Sequence, residues 1–94
     1  MNKDNNICKR IRIFGYVQGV GFRWYVYKSA KELGLKGYVK NLNDGSVQAV
    51  ICGKKEDVEK LIEKCYKGPS YAIVNRIDIE DFNNQSFNDF KIEL

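Results

Sequence analysis

Apolar and polar positions alternate over residues 7–14, with Ile7, Ile11 and Ile13 on one side and Arg10 and Arg12 on the other. That two-residue period predicts a strand. Lys9 interrupts the apolar parity, so this face is expected to reach the sheet margin there. From Phe22 to Leu33 the period changes. Phe22, Val26, Ala30 and Leu33 recur at helical spacing, and Gly34 stands where a left-handed cap ends a helix. Residues 35–42 read as a second strand, Asn43-Asp44-Gly45 as a tight turn, and 47–52 as a third strand. In the third, Val47, Ala49 and Ile51 alternate with Gln48, Val50 and Cys52, which makes the pair a hairpin.

Gly53 closes the hairpin, and Lys54 to Tyr66 reads as a second helix with Val58, Leu61, Ile62 and Cys65 as its apolar stripe. Glu56, Asp57 and Glu59 come early in it and Lys60, Lys64 and Lys67 late, which suits the helix dipole. Glu56–Lys60 and Glu63–Lys67 are spaced as favourable pairs on one helix face. Gly68-Pro69 stops the helix. Residues 71–82 read as a fourth strand, with Ile73, Ile77 and Ile79 on one parity. Residues 83–86 read as a loop, and Phe90, Ile92 and Leu94 as a final short strand.

The order strand, helix, strand, strand, helix, strand predicts an α+β, ferredoxin-like βαββαβ sandwich. Two one-sided helices would cover one face of a single antiparallel sheet of four to five strands. Ninety-four residues suffice for one domain, expected over 1–94 with 1–6 frayed. No apolar run is long enough to span a membrane, and the polar start Met1–Asn6 points to a cytoplasmic protein.

Three cysteines, no C-x-x-C spacing and no histidine argue against a disulfide framework and a zinc site. The cysteines are expected to be small, buried or half-buried apolar residues. A net charge of +4 favours anionic ligands without choosing among them.

The stretch Gly15-Tyr16-Val17-Gln18-Gly19-Val20-Gly21-Phe22-Arg23 joins the first strand to the first helix. Its glycines permit backbone conformations closed to other residues, so that successive amides can converge on one point. The helix start adds unpaired N–H groups and a positive dipole end, and Arg23 offers a planar two-pronged grip on a phosphoryl group. A tight turn would use the same glycines, and an arginine in a first turn opposes the dipole. Neither the P-loop pattern nor the third glycine of the dinucleotide fingerprint is present. Without histidine, nucleophilic triads are excluded, and catalysis would rest on positioning and charge stabilisation. A carboxylic–phosphoric mixed anhydride suits such a site, because a carboxylate leaves without a proton.

Gly15-x-Val17-Gln18-Gly19-Val20-x-Phe22-Arg23 resembles the first signature of the acylphosphatases. The segment from Gly37-Tyr38-Val39-Lys40-Asn41 through Gly45-Ser46-Val47 to Gly53 is similar to their second. The resemblance covers essentially the whole chain. It implies hydrolysis of acyl phosphates to carboxylate and inorganic phosphate, with no metal or cofactor. It also implies that Arg23 and the loop amides of Gln18, Gly19, Val20, Gly21 and Phe22 hold the phosphate, and that Asn41 orients the attacking water. Gln18 either contributes an amide or stiffens the loop; Tyr38 and Trp24 are expected to pack.

The expected partner is a small-molecule acyl phosphate, with phosphate or sulfate as a bound ion, and the protein is expected to be a monomer that binds neither nucleic acid nor membrane. An RNA-binding module shares the element order, but its aromatic core motif belongs on the third strand, and Val47–Cys52 carries no aromatic residue. A regulatory anion binder without turnover would be expected to lack Arg23 or Asn41, and both are present.

Overall fold

The computed structural model describes residues 6–83 and 86–94. Its elements are β1 (Asn6–Tyr16), α1 (Phe22–Glu32), β2 (Lys36–Asn41), β3 (Val47–Lys54), α2 (Lys55–Lys67), β4 (Ile73–Asp81) and β5 (Phe90–Glu93). The sheet order is β4-β1-β3-β2-β5. The two-residue period of β1 and β3 turns Ile11, Ile13, Val47, Ala49 and Ile51 to one face. Val39 and Ile77 join them from β2 and β4. Phe22, Val26 and Ala30 of α1 and Val58, Leu61, Ile62 and Cys65 of α2 complete one continuous core on that face. The expected two-helix, one-sheet sandwich is thus the fold, and none of the described helices is long and apolar enough to cross a membrane.

Five details differ from the sequence reading. The first four strands are antiparallel, but β5 lies parallel to β2, with Gly37 opposite Phe90 and Val39 opposite Ile92. β4 and β5 occupy opposite edges, so the chain between them must cross the whole sheet, and it arrives running the same way as β2. The fourth strand starts at Ile73 rather than 71, because Pro69 to Ala72 closes a turn, Ala72 N–H donating to the Pro69 carbonyl at 3.0 Å. Of the terminal segment expected to fray, residues 1–5 lie outside the described residues and Asn6 opens β1; residues 84 and 85 of the expected loop are likewise outside. The ion pairs among the described residues join Lys9 to Asp81, Arg10 to Glu80, Lys31 to Asp89 and Arg76 to Asp78, rather than the helical pairs anticipated on α2. All lie near solvent, where such pairs contribute little.

The fifth difference is the cysteines. Cys8 and Cys52 form a disulfide, their Cα atoms 4.1 Å apart. An odd count does not preclude one bridge, and what decides it is register. Cys8 of β1 falls directly opposite Cys52 of β3, on the face away from the helices. Strands distant in sequence but adjacent in the sheet hide that juxtaposition from any spacing rule. The bridge spans 44 positions, and on chain-entropy grounds such a loop contributes about 4 kcal/mol. Bonds of this kind persist chiefly in oxidising surroundings, which bears on the expected cytoplasmic location. Cys65 is buried in the core as expected, and burial pushes its thiol up to about 12.

The face away from the helices carries a smaller apolar cluster. Val50 is fully buried there, between Arg10 and Tyr38 in register. The Phe87 ring stands 6.0 Å from Tyr38 and 6.4 Å from Phe82, and the Arg10 guanidinium lies over Phe82. The connection from β4 to β5 therefore lays aromatic rings on this side.

Candidate active site

The glycine loop hangs between two supports. At its base, the β1–β4 register shifts between Phe14 and Gly15, so the last residues of β1 pair anew as Gly15 with Val74 and Tyr16 with Ile73. Gly15 has a φ of 139°, and a side chain there would strike the Ile73 carbonyl and come within 2.9 Å of the Asn75 nitrogen. Only glycine lets β4 approach so closely. At its far side, the Gln18 side-chain amide donates to the carbonyls of Leu42 at 2.8 Å and Ser46 at 2.9 Å. The loop is strapped to the β2–β3 hairpin by a side chain that closes no part of either strand ladder.

Gly21 is the N-cap of α1, with φ 82° and ψ 19°, in the left-handed region. No side chain caps the helix, and its first turn contains no acid. The helical ladder starts with Tyr25 N–H donating to the Gly21 carbonyl at 3.0 Å. The amides of Phe22, Arg23 and Trp24 precede that first bond and are the free donors at a helix start. Arg23 reaches across to β5, where its Nη1 donates to the Glu93 carbonyl at 3.5 Å.

Asn41 is the last residue of β2, opposite Val47. The turn beyond it is closely tied. Leu42 N–H donates to the Ser46 carbonyl at 2.9 Å and Gly45 N–H to the Leu42 carbonyl at 3.2 Å. The Asp44 carboxylate accepts the Ser46 hydroxyl and, at 2.9 Å, the Ser46 amide. Those donors, the hydroxyl foremost, hold Asp44 below the ordinary carboxylate range. Asp44 is thereby committed to the turn.

These parts meet. A cleft of about 250 Å³ is lined by Gly19, Gly21, Phe22, Arg23 and Asn41 together with Val17, Trp24, Ile92 and Leu94. Of the residues named from sequence, Gln18 and Val20 are not among its walls: the Gln18 side chain turns to the hairpin and Val20 packs against the core. A larger hollow of about 670 Å³ lies beside the disulfide, lined among others by Lys36, Lys54 and Asp57. Convergent donors matter more than size for chemistry, and the smaller cleft has them. Among the described residues no group of three or more metal-binding side chains comes together.

One contribution matches an alternative read from the sequence, the stiffening of the loop by Gln18, and one was missed, the contribution of the chain's last residues. Gln18 acts through its side chain as a strap, while β5 supplies Ile92 and the carbonyl that meets Arg23, and Leu94 just past its end completes the wall. The apolar parity of Phe90, Ile92 and Leu94 was visible, but the edge on which that strand docks is a long-range property.

The acylphosphatase family model matches residues 9–92. An acylphosphatase from Methanothrix thermoacetophila is 43% identical over 86 residues, covering 92% of this chain and 96% of that protein. One from Thermoplasma volcanium is 45% identical, over 90% of this chain and 94% of that protein. The solved structure of an acylphosphatase from Coxiella burnetii superimposes with a TM-score of 0.93 at 37% identity, covering 99% of this chain and all of that one.

Proposed function

The chain belongs to the acylphosphatase family, and we propose that its glycine loop, Arg23 and Asn41 are the machinery by which it hydrolyses acyl phosphates to a carboxylate and inorganic phosphate. One observation carries the assignment of roles: Arg23 and Asn41, from different elements, line one cleft together with Gly19, Gly21 and Phe22.

The phosphoryl group sits against the amides from Gln18 to Phe22 at the start of α1, where the dipole and the free N–H groups favour negative charge. Arg23 grips two of its oxygens and offsets the charge that grows on them in the transition state. Asn41 holds a water by accepting its hydrogen bond, in line with the bond to be broken. The water oxygen bonds to phosphorus as the bond from phosphorus to the bridging oxygen breaks. The electron pair leaves with the carboxylate, and the water's proton passes to a phosphate oxygen. No protein base is required, which suits a chain without histidine.

On this reading the reaction needs no metal or cofactor, and a single chain suffices because all these groups come from one fold. The cytoplasmic setting expected from the polar start stands against the Cys8–Cys52 bridge, a bond that persists chiefly in oxidising surroundings. Binding of nucleic acid is set aside because the aromatic rings of the open face are engaged by one another and by cations, Arg76 lying 4.1 Å from the Phe14 ring centre.

The test is hydrolysis of benzoyl phosphate with EDTA present and inorganic phosphate as competitor. Turnover unaffected by EDTA and competitive inhibition by phosphate are expected. Turnover that disappears with the chelator would sink the metal-free mechanism.

A further inference from the structure

We propose that Trp24 and Ile92 form an apolar shelf that receives the acyl group, so that this enzyme favours acyl phosphates with an aromatic or bulky aliphatic acyl part. The proposal rests on the assignment of the phosphate to the glycine loop and Arg23.

Along the seam between α1 and β5 runs a row of apolar side chains. Tyr27 packs against Phe90, their ring centres 6.5 Å apart, and Trp24, one turn earlier on α1, stacks on Tyr27 at 5.4 Å. On β5, Phe90 and Ile92 share one parity, and Leu94 follows the strand's end. Exposure rises along the row: Phe90 is 1% exposed, Ile92 37% and Trp24 59%. The row thus emerges from the core at the cleft that holds Arg23 and Asn41. Lys91 and Glu93 have the opposite parity and project to the other side of the sheet.

Such a wall contributes little to folding, because most of the Trp24 surface stays in water. A single exposed tryptophan is unremarkable. Three exposed apolar residues, Trp24, Ile92 and Leu94, lining the same cleft as the charged grip are another matter. An acyl phosphate is a molecule of that polarity, with an anionic end and a carbon end. With the phosphoryl group at the loop, an apolar acyl group lies on the shelf and loses contact with water, while an acetyl group is too small to cover it.

The experiment compares kcat/KM on benzoyl phosphate and acetyl phosphate for the wild type, Trp24→Ala and Ile92→Ser, with the inhibition constant of inorganic phosphate measured for each. Each variant is expected to lose about tenfold on benzoyl phosphate and less than about twofold on acetyl phosphate. Phosphate inhibition should stay within about twofold of wild type, which also verifies that the variant is folded. Trp24→Phe should restore most of the benzoyl activity. Equal losses on both substrates, or a ratio unmoved by either substitution while phosphate still binds, would overturn the shelf and leave the phosphate site standing. A wild type inert toward both substrates would overturn the parent reading and the shelf with it.

Discussion

The two helices begin in opposite ways. α2 starts after Lys54, and its second and third residues are Glu56 and Asp57, acids set against the positive end of the dipole. In α1 the same two positions are Arg23 and Trp24, after a left-handed Gly21, with no side-chain cap and no acid in the first turn. Neither start has a side-chain cap, but the charges of the first turn suit the dipole in α2 and oppose it in α1. Both helices bury equivalent apolar stripes, so the difference is not in packing. α2 sets its own acids against the positive end of its dipole, and α1 sets none there.

The largest effect should come from Arg23→Ala, which removes the one guanidinium at the open helix start. A fall in kcat/KM of roughly a thousandfold is expected, with inhibition by inorganic phosphate lost in parallel. Asn41→Ala should lower kcat by about a hundredfold while phosphate still inhibits, separating water placement from anion binding. Retained turnover in that variant would remove Asn41 from the mechanism.

Smaller effects would come from making each helix resemble the other. Trp24→Glu gives α1 the acid that α2 carries at the same position. Phosphate inhibition should weaken by about fivefold, although thermal stability holds or rises, because the new carboxylate occupies the field meant for the ligand. The reverse change, Glu56→Gln with Asp57→Asn, should cost about 0.5–1 kcal/mol in urea unfolding and leave kcat/KM unchanged. A loss of activity in that double variant would show the two helix starts to be coupled rather than divided in role.

Much of this was legible in the chain because it is local. The two-residue period of β1 and β3, the stripe of α2 and the turn at Asn43–Gly45 depend on near neighbours, and each element formed within a few residues of its expected bounds. The glycine spacing and Arg23 marked the loop as a candidate anion site for the same reason. What could not be read depends on which strands become neighbours. Cys8 and Cys52 meet only because β1 lies beside β3. Ile92 joins Arg23 only because β5 docks parallel on the β2 edge. Gln18 lay in between: its presence in the loop was plain, but the carbonyls it binds, Leu42 and Ser46, belong to a turn that the fold brings over.

The disulfide gives the molecule a connectivity that its linear order conceals. With Cys8 joined to Cys52, residues 8–52 form a covalent ring, and α2, β4 and β5 form a tail attached to it. Arg23 and Asn41 both lie on the ring. So does the exposed hairpin tip Asn43–Gly45, just past Asn41 and Leu42. A protease that cuts at that tip opens the ring without dividing the molecule, since the two fragments stay linked through sulfur. A cut in the tail, by contrast, severs a piece outright. Gel mobility of tip-nicked protein should therefore be that of the whole chain until a reductant is added.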